Sequence, residues 1–118
     1  MTLPIATRDA ILSANDLKTQ DVDVPEWGVS VRVSTLTGTA RDALSKAMVG
    51  ADGQIDSSQY RERMVAACVV GEDGKPLFSA DDVGILGTKS AIALQRVFTV
   101  AESLNAISAQ AVETAEKN

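Results

Sequence analysis

Seven consecutive apolar residues, Met64 to Val70, are cut off by Gly71-Glu72-Asp73-Gly74, and this stretch constrains the chain more than any other. Tyr60, Met64, Ala67 and Cys68 recur at helical spacing, while Val65, Val69 and Val70 add a second apolar face. A helix apolar nearly all round over its last two turns has to lie at the centre of a core. The spacing therefore predicts a central helix from Ser57 to Val70, capped by Asp56, Ser57 or Ser58. Gly71 is expected as a helix C-cap with positive φ. Asp73-Gly74 is expected as a tight turn that returns Pro76, Leu77 and Phe78 to the same core.

The remaining elements must supply what packs on that helix. Val22 and Val24 alternate with acids, and Val29, Val31 and Val33 alternate with Ser30, Arg32 and Ser34. Period two on both sides of Pro25-Glu26-Trp27-Gly28 predicts a β-hairpin over about Leu17 to Ser34, with Trp27 at its tip. For Trp27 two roles stay open, packing over the hairpin or anchoring a partner. A two-stranded hairpin is barely stable alone, so its valine face must rest on helices or its edge must pair with another chain.

Thr37 offers an N-cap for a helix whose stripe is Ala40, Ala43, Leu44, Ala47 and Met48. Ser79 with Asp82 fits a capping box for a short helix through Val83, Ile85 and Leu86, stopped by Gly87. Thr88 or Ser90 then opens the longest amphipathic segment, with Ala91, Leu94, Val97, Phe98, Ala101 and Leu104 on the face toward the central helix. Ala106 to Asn118 reads as either a weak helix or a frayed tail, with Ile107 and Val112 as its sizeable apolar groups. Residues 1–6 read as a mobile end, and Thr7 caps a short helix through Ala10 to Leu12. The sum is a single α+β domain over residues 1–118, a hairpin followed by a bundle of about four helices, with 1–6 and 106–118 as its loose ends.

Chemistry is conspicuous by what is missing. The 118 residues include no histidine and one cysteine, which removes the usual neutral-pH acid/base and any thiolate cluster. Asp52, Gln54 and Asp56 start like a calcium loop, but Ser57 and Arg63 stand where that loop needs glycine and glutamate. Gly84 to Ser90 has the wrong spacing for a phosphate loop, since Thr88 separates Gly87 from Lys89. No catalytic, cofactor or metal site is predicted, and an enzyme is not expected. Cys68, inside the apolar run, is expected as a buried, unreactive hydrophobe. A net charge of −5 argues against a nucleic-acid partner. No segment is long and apolar enough to span a membrane and no secretory signal precedes the first element, so the expected address is the cytoplasm.

Three stretches resemble the tail assembly chaperones of tailed bacteriophages and prophages: VPEWGVSVRVSTLTGTARDAL (Val24 to Leu44), YRERMVAACVVGEDGKPLFSADDVGILGTKSA (Tyr60 to Ala91) and ALQRVFTVAESLN (Ala93 to Asn105). The turn around Pro25 to Gly28, the Leu36-Thr37-Gly38 helix entrance and the Gly74 to Phe78 hook carry the resemblance. Ala40 stands where the family pattern often has an acid, so the capping box with Thr37 is incomplete. The resemblance implies a non-enzymatic helper in the host cytoplasm that binds and solubilises the long tape-measure protein, brings major tail (tube) protein onto it, and is absent from the mature virion. It also implies self-association and, in many phages, a longer frameshift product. A structural virion component, such as a head-tail connector or tail terminator, is the alternative. Candidate partner-contact residues are Trp27, Val29 and Val31 on the hairpin and Leu104, Ile107 and Val112 at the C-terminal end.

Overall fold

The computed structural model describes the backbone of residues 2–117 and the side chains of residues 2–105. In chain order the elements are α1 (Arg8–Leu12), β1 (Thr19–Val24), β2 (Val29–Ser34), α2 (Gly38–Ala47), α3 (Tyr60–Cys68), β3 (Val69–Val70), a 3-10 turn (Ala80–Asp82), α4 (Val83–Leu86) and α5 (Ala91–Lys117). The fold is α+β, with the hairpin and the helices that the residue spacing predicts.

β1 and β2 pair antiparallel with Val22 opposite Val31 and Asp21 opposite Arg32. The turn has Gly28 at φ +67, a left-handed value that costs glycine nothing. Asp21 and Arg32, facing each other across the strands, close a two-pronged contact at 2.9 and 3.2 Å. Val24 and Val33 are fully buried in a core they share with α3, and both strands rest on α5.

α3 is the centre of the core, as the apolar run requires. Met64, Val65, Ala66, Cys68, Val69 and Val70 are all buried, and Tyr60 meets Phe98 of α5 edge-on at 5.7 Å. α5 contributes Ala93, Leu94, Val97 and Ala101. Each fully buried Leu or Val contributes about 1.5–3 kcal/mol, and the two alanines let α5 lie close on its neighbours. Ala91, expected on this face, is exposed instead and Ala93 is buried, while Leu94, Val97, Phe98, Ala101 and Leu104 face the core as their spacing predicts.

Two expectations about the central helix are corrected. The helix spans Tyr60–Cys68, not Ser57 to Val70, because Val69 and Val70 leave it to form a third strand beside Arg32 and Val33 of β2. β-branched residues lose little in extended backbone, and pairing with the open side of β2 gains hydrogen bonds that a last helical turn would not. At the other end Asp56 turns its carboxylate onto the Ser58 N–H at 3.0 Å, and Gln59, the N-cap, caps nothing with its side chain.

Gly71 is the second correction: among the described residues positive φ occurs at Gly28, Gly53 and Gly74, not at Gly71. Its N–H donates to the Lys75 carbonyl at 2.9 Å, closing a loop around Gly74 at φ +79. A β-carbon on Gly71 would sit 3.1 Å from Leu77 Cδ2, so glycine serves close packing there. The Leu77 N–H then donates to the Val69 carbonyl, and the chain has folded back on β3. Phe78 packs against the core while Leu77 stays exposed.

The helix starts follow their caps. Thr7 accepts from Ala10 N–H and Thr37 from Ala40 N–H, and Ser79 with Asp82 forms the complete reciprocal box. Gly87 ends α4, and Ser90 accepts from the Ala93 N–H to start α5. α1 ends at Leu12, short of Asn15, and buries no residue. The C-terminal stretch continues α5 to Lys117.

Candidate partner-binding surface

β2 separates two environments. The backbone of Thr35 donates to Lys18 across the hairpin, and alternation along an antiparallel strand then turns the N–H and C=O of Val33, Val31 and Val29 toward β1. Arg32 and Ser30 turn theirs the other way. Arg32 meets Val70, but β3 ends there and the chain turns off at Gly71, so among the described residues no strand lies opposite Ser30.

The space left by that departure is a groove of about 510 Å³. Its apolar lining comes from Trp27, Val29 and Val31 on the hairpin and from Val70, Leu77 and Phe78 on the returning loop. Val29 is 54% exposed and Leu77 60% exposed, whereas Val31 is buried. Glu72 stands at the rim; the hydrogen bond to Asp21 holds the Arg32 pKa above its usual value, and the charge of Glu72 adds a smaller push in the same direction. Trp27 is half-buried against the core and also walls a neighbouring hollow of about 330 Å³ with Phe78, Ile85, Leu86 and Lys89. Both roles left open for Trp27 are therefore compatible with its position: one part of the ring system packs on the core, and the rest faces open space.

Glu26 fixes the hairpin tip to α5. Arg96 grips its carboxylate through three contacts of 3.0–3.2 Å, and these hydrogen bonds hold the Glu26 carboxyl below its usual pKa. A second apolar groove, about 220 Å³, lies between α2 and α3 and is lined by Ala40, Leu44, Ala47, Ala66, Ala67 and Phe78 among others. α2 buries none of its residues, so its apolar stripe faces this groove without filling it.

Of the six residues singled out in the sequence, Trp27, Val29 and Val31 come together in one groove. Leu104 lies elsewhere, half-buried against the core on α5, and the side chains of Ile107 and Val112 lie outside the described residues. Leu77 and Phe78 complete the groove; the Asp73-Gly74 turn signalled their return but not which strand they would face. Asn105 carried no signal at all. It is buried, accepts from the Leu36 N–H at 2.9 Å, and donates to the Ala101 carbonyl at 2.8 Å and to Cys68 Sγ at 3.7 Å.

The acidic candidates make local turns. Asp52 accepts from the Gln54 N–H and Asp56 from the Ser58 N–H, and among the described residues no group of three or more Cys, Asp or Glu side chains is placed to hold a metal. No helix among them is long and apolar enough to cross a membrane. Cys68 is buried and free, and burial pushes its thiol pKa up to about 11.

Fold and surface together define a class: a small α+β protein whose helices and hairpin leave apolar grooves at the surface. The particular architecture is similar to that of one solved phage protein. A solved structure of the bacteriophage HK97 tail assembly chaperone superposes with a TM-score of 0.54 and 20% sequence identity, over 81% of this chain and 94% of that one. No protein-family model and no curated protein sequence matches the chain.

Proposed function

We propose that this chain is a phage or prophage tail assembly chaperone, a non-enzymatic protein that binds the tape-measure protein, keeps it soluble and promotes addition of tube protein around it. The observation that carries this reading is the fold, shared over nearly the whole length of the HK97 chaperone. The surface is consistent with such a role. An amphipathic partner helix lays its apolar side into a groove lined by small residues, which the α2–α3 groove offers. Trp27 and the α5 positions Leu104, Ile107 and Val112 are the further contact candidates. Each such site is small, so affinity comes from several copies acting along one long partner.

The chaperone works in the host cytoplasm and leaves before the particle is complete. Co-expression tests this. The tape-measure protein, insoluble alone, is expected in a soluble complex with several copies of this chain, and Trp27→Asp or Ile107→Asp lowers the yield while the free protein stays folded. A tape-measure protein equally insoluble with and without the chain, together with the chain in purified virions, would overturn the reading in favour of a connector or terminator.

A further inference from the structure

α2 buries none of its residues, and its stripe of Ala40, Ala43, Leu44 and Ala47 lines one wall of the groove of about 220 Å³ that it shares with Ala66 and Ala67 of α3. Both of these walls are helical, so their backbone N–H and C=O groups are already paired within the helices. An extended peptide would find no strand edge there, and its own backbone would be buried without partners. A helix brings its backbone hydrogen bonds with it, and the alanines on both walls let its axis come close.

The cations around this groove lack partners. Arg63 lines it, and Arg41 and Lys46, both exposed, border the α2 stripe on either side by helical spacing. Of the chain's six arginines, Arg8, Arg32, Arg61 and Arg96 each hold a carboxylate. Among the described residues Arg41 and Arg63 hold none, and Arg63 instead reaches the side-chain oxygen of Gln59 at 3.3 Å. The acids closest in the chain are turned elsewhere. Asp42 falls on the side of α2 opposite the stripe, Asp56 accepts from the Ser58 N–H, and Asp82 closes the box with Ser79. In a chain of net charge −5, cations left without acids beside one apolar groove favour an acidic occupant.

We propose that the α2–α3 groove takes an amphipathic helix of another protein, with small and medium apolar residues on the side laid into the groove and acidic residues along its flanks. That helix is taken to be a stretch of the tape-measure protein, a step that rests on the chaperone reading. The chain's own N-terminal segment fits the charge less well: residues 2–12 carry one acid, Asp9, and one base, Arg8, which already meet at 3.6 Å. Nucleic acid would satisfy the cations through its phosphates but leave the apolar floor without a complement.

The probes are two synthetic amphipathic helices of about 20 residues, long enough to be helical alone, with Leu and Ala on one face and either Glu or Lys along both flanks. Titrated into the full chain by calorimetry, the Glu peptide is expected to bind roughly tenfold tighter than the Lys peptide at low salt, as a few solvent-facing ion pairs would give. The difference should vanish in about 1 M salt, where charges are screened beyond about 3 Å. Arg41→Glu/Lys46→Glu, a change at two exposed positions, should reverse the preference, and Ala43→Phe, which fills the groove, should weaken both peptides. No binding, equal binding of the two peptides, or a preference that survives the charge reversal would overturn the proposal. So would a dimer that Ala43→Phe takes apart, which would give the groove to a second copy. Glu-peptide binding that appears only in Ile5→Asp/Leu12→Asp would give it to the chain's own N-terminal segment and overturn the proposal as well. Co-expression separates this from the chaperone reading. Tape-measure protein solubilised equally well by Arg41→Glu/Lys46→Glu overturns the acidic-helix assignment and leaves the chaperone standing; a Glu peptide that binds while the tape-measure protein stays insoluble supports the groove and overturns the chaperone.

Discussion

Asn105 joins three parts of the molecule that are far apart in sequence. Its carbonyl oxygen takes the Leu36 N–H at the exit from β2, and its amide reaches the sulfur at the end of α3. Asn105→Ala removes the partner of a part-buried N–H and leaves a void, for an expected loss on the order of 2 kcal/mol in a urea titration. Cys68 makes a pH prediction. Its thiol pKa is raised from 9.0 to about 11 by burial, with a smaller opposing effect of the Asn105 hydrogen bond. The unfolded chain therefore loses this proton first as pH rises, and the contribution of the neutral buried thiol is complete below pH 9 and lost between 9 and 11. Cys68→Ala should show a shallower decline of stability over that window, by up to about 3 kcal/mol. Native Cys68 should react slowly with thiol reagents; fast labelling at pH 8 would show that α5 does not cover it.

α2 is held loosely. It contributes no fully buried residue, and its first turn depends on the Thr37 hydroxyl, because Ala40 offers no carboxylate to complete a reciprocal cap. Thr37→Ala should therefore cost about 1 kcal/mol. Circular dichroism with thermal unfolding measures it, and Ala40→Glu should recover part of that type of stabilisation in the wild-type background. The short β3 presents the opposite case. Two valines that continue a helical pattern are extended because the side of β2 away from β1 offers them the backbone groups of Arg32. Where two backbone conformations are near in energy locally, a waiting partner strand selects one.

Across the molecule, protection should be graded by burial. The sheet, α3 and the first half of α5 share one core, while α1 has no buried residue. Amide hydrogen exchange should accordingly be slowest in β2, α3 and Leu94 to Ala101, and fast in α1, where opening exposes nothing. Protection in α1 comparable to that of α3 would contradict this arrangement. The groove beside β2 lies against the sheet and the end of α3, so its floor belongs to the part of the molecule expected to open least.

What the residues set down locally came through in the fold. The alternation of Val29, Val31 and Val33, the Pro25 to Gly28 turn, the Thr37 and Ser79 caps and the apolar run as far as Cys68 are short-range patterns, and each produced its element because period, turn and capping chemistry act over a few residues. The hairpin was expected to keep an open edge along Val29 to Val33, and there the structure differs: β3 pairs with β2 at Arg32 and Val33. The groove was not legible, because it is built by the return of Leu77 and Phe78 beside a strand more than forty positions earlier. Nor was the role of Asn105, or the capture of Val69 and Val70 by β2. Those depend on which distant groups meet once the chain is folded: a buried polar side chain takes its value from partners at Leu36 and Cys68, and a helix end yields where a long-range backbone hydrogen bond outweighs one more local turn.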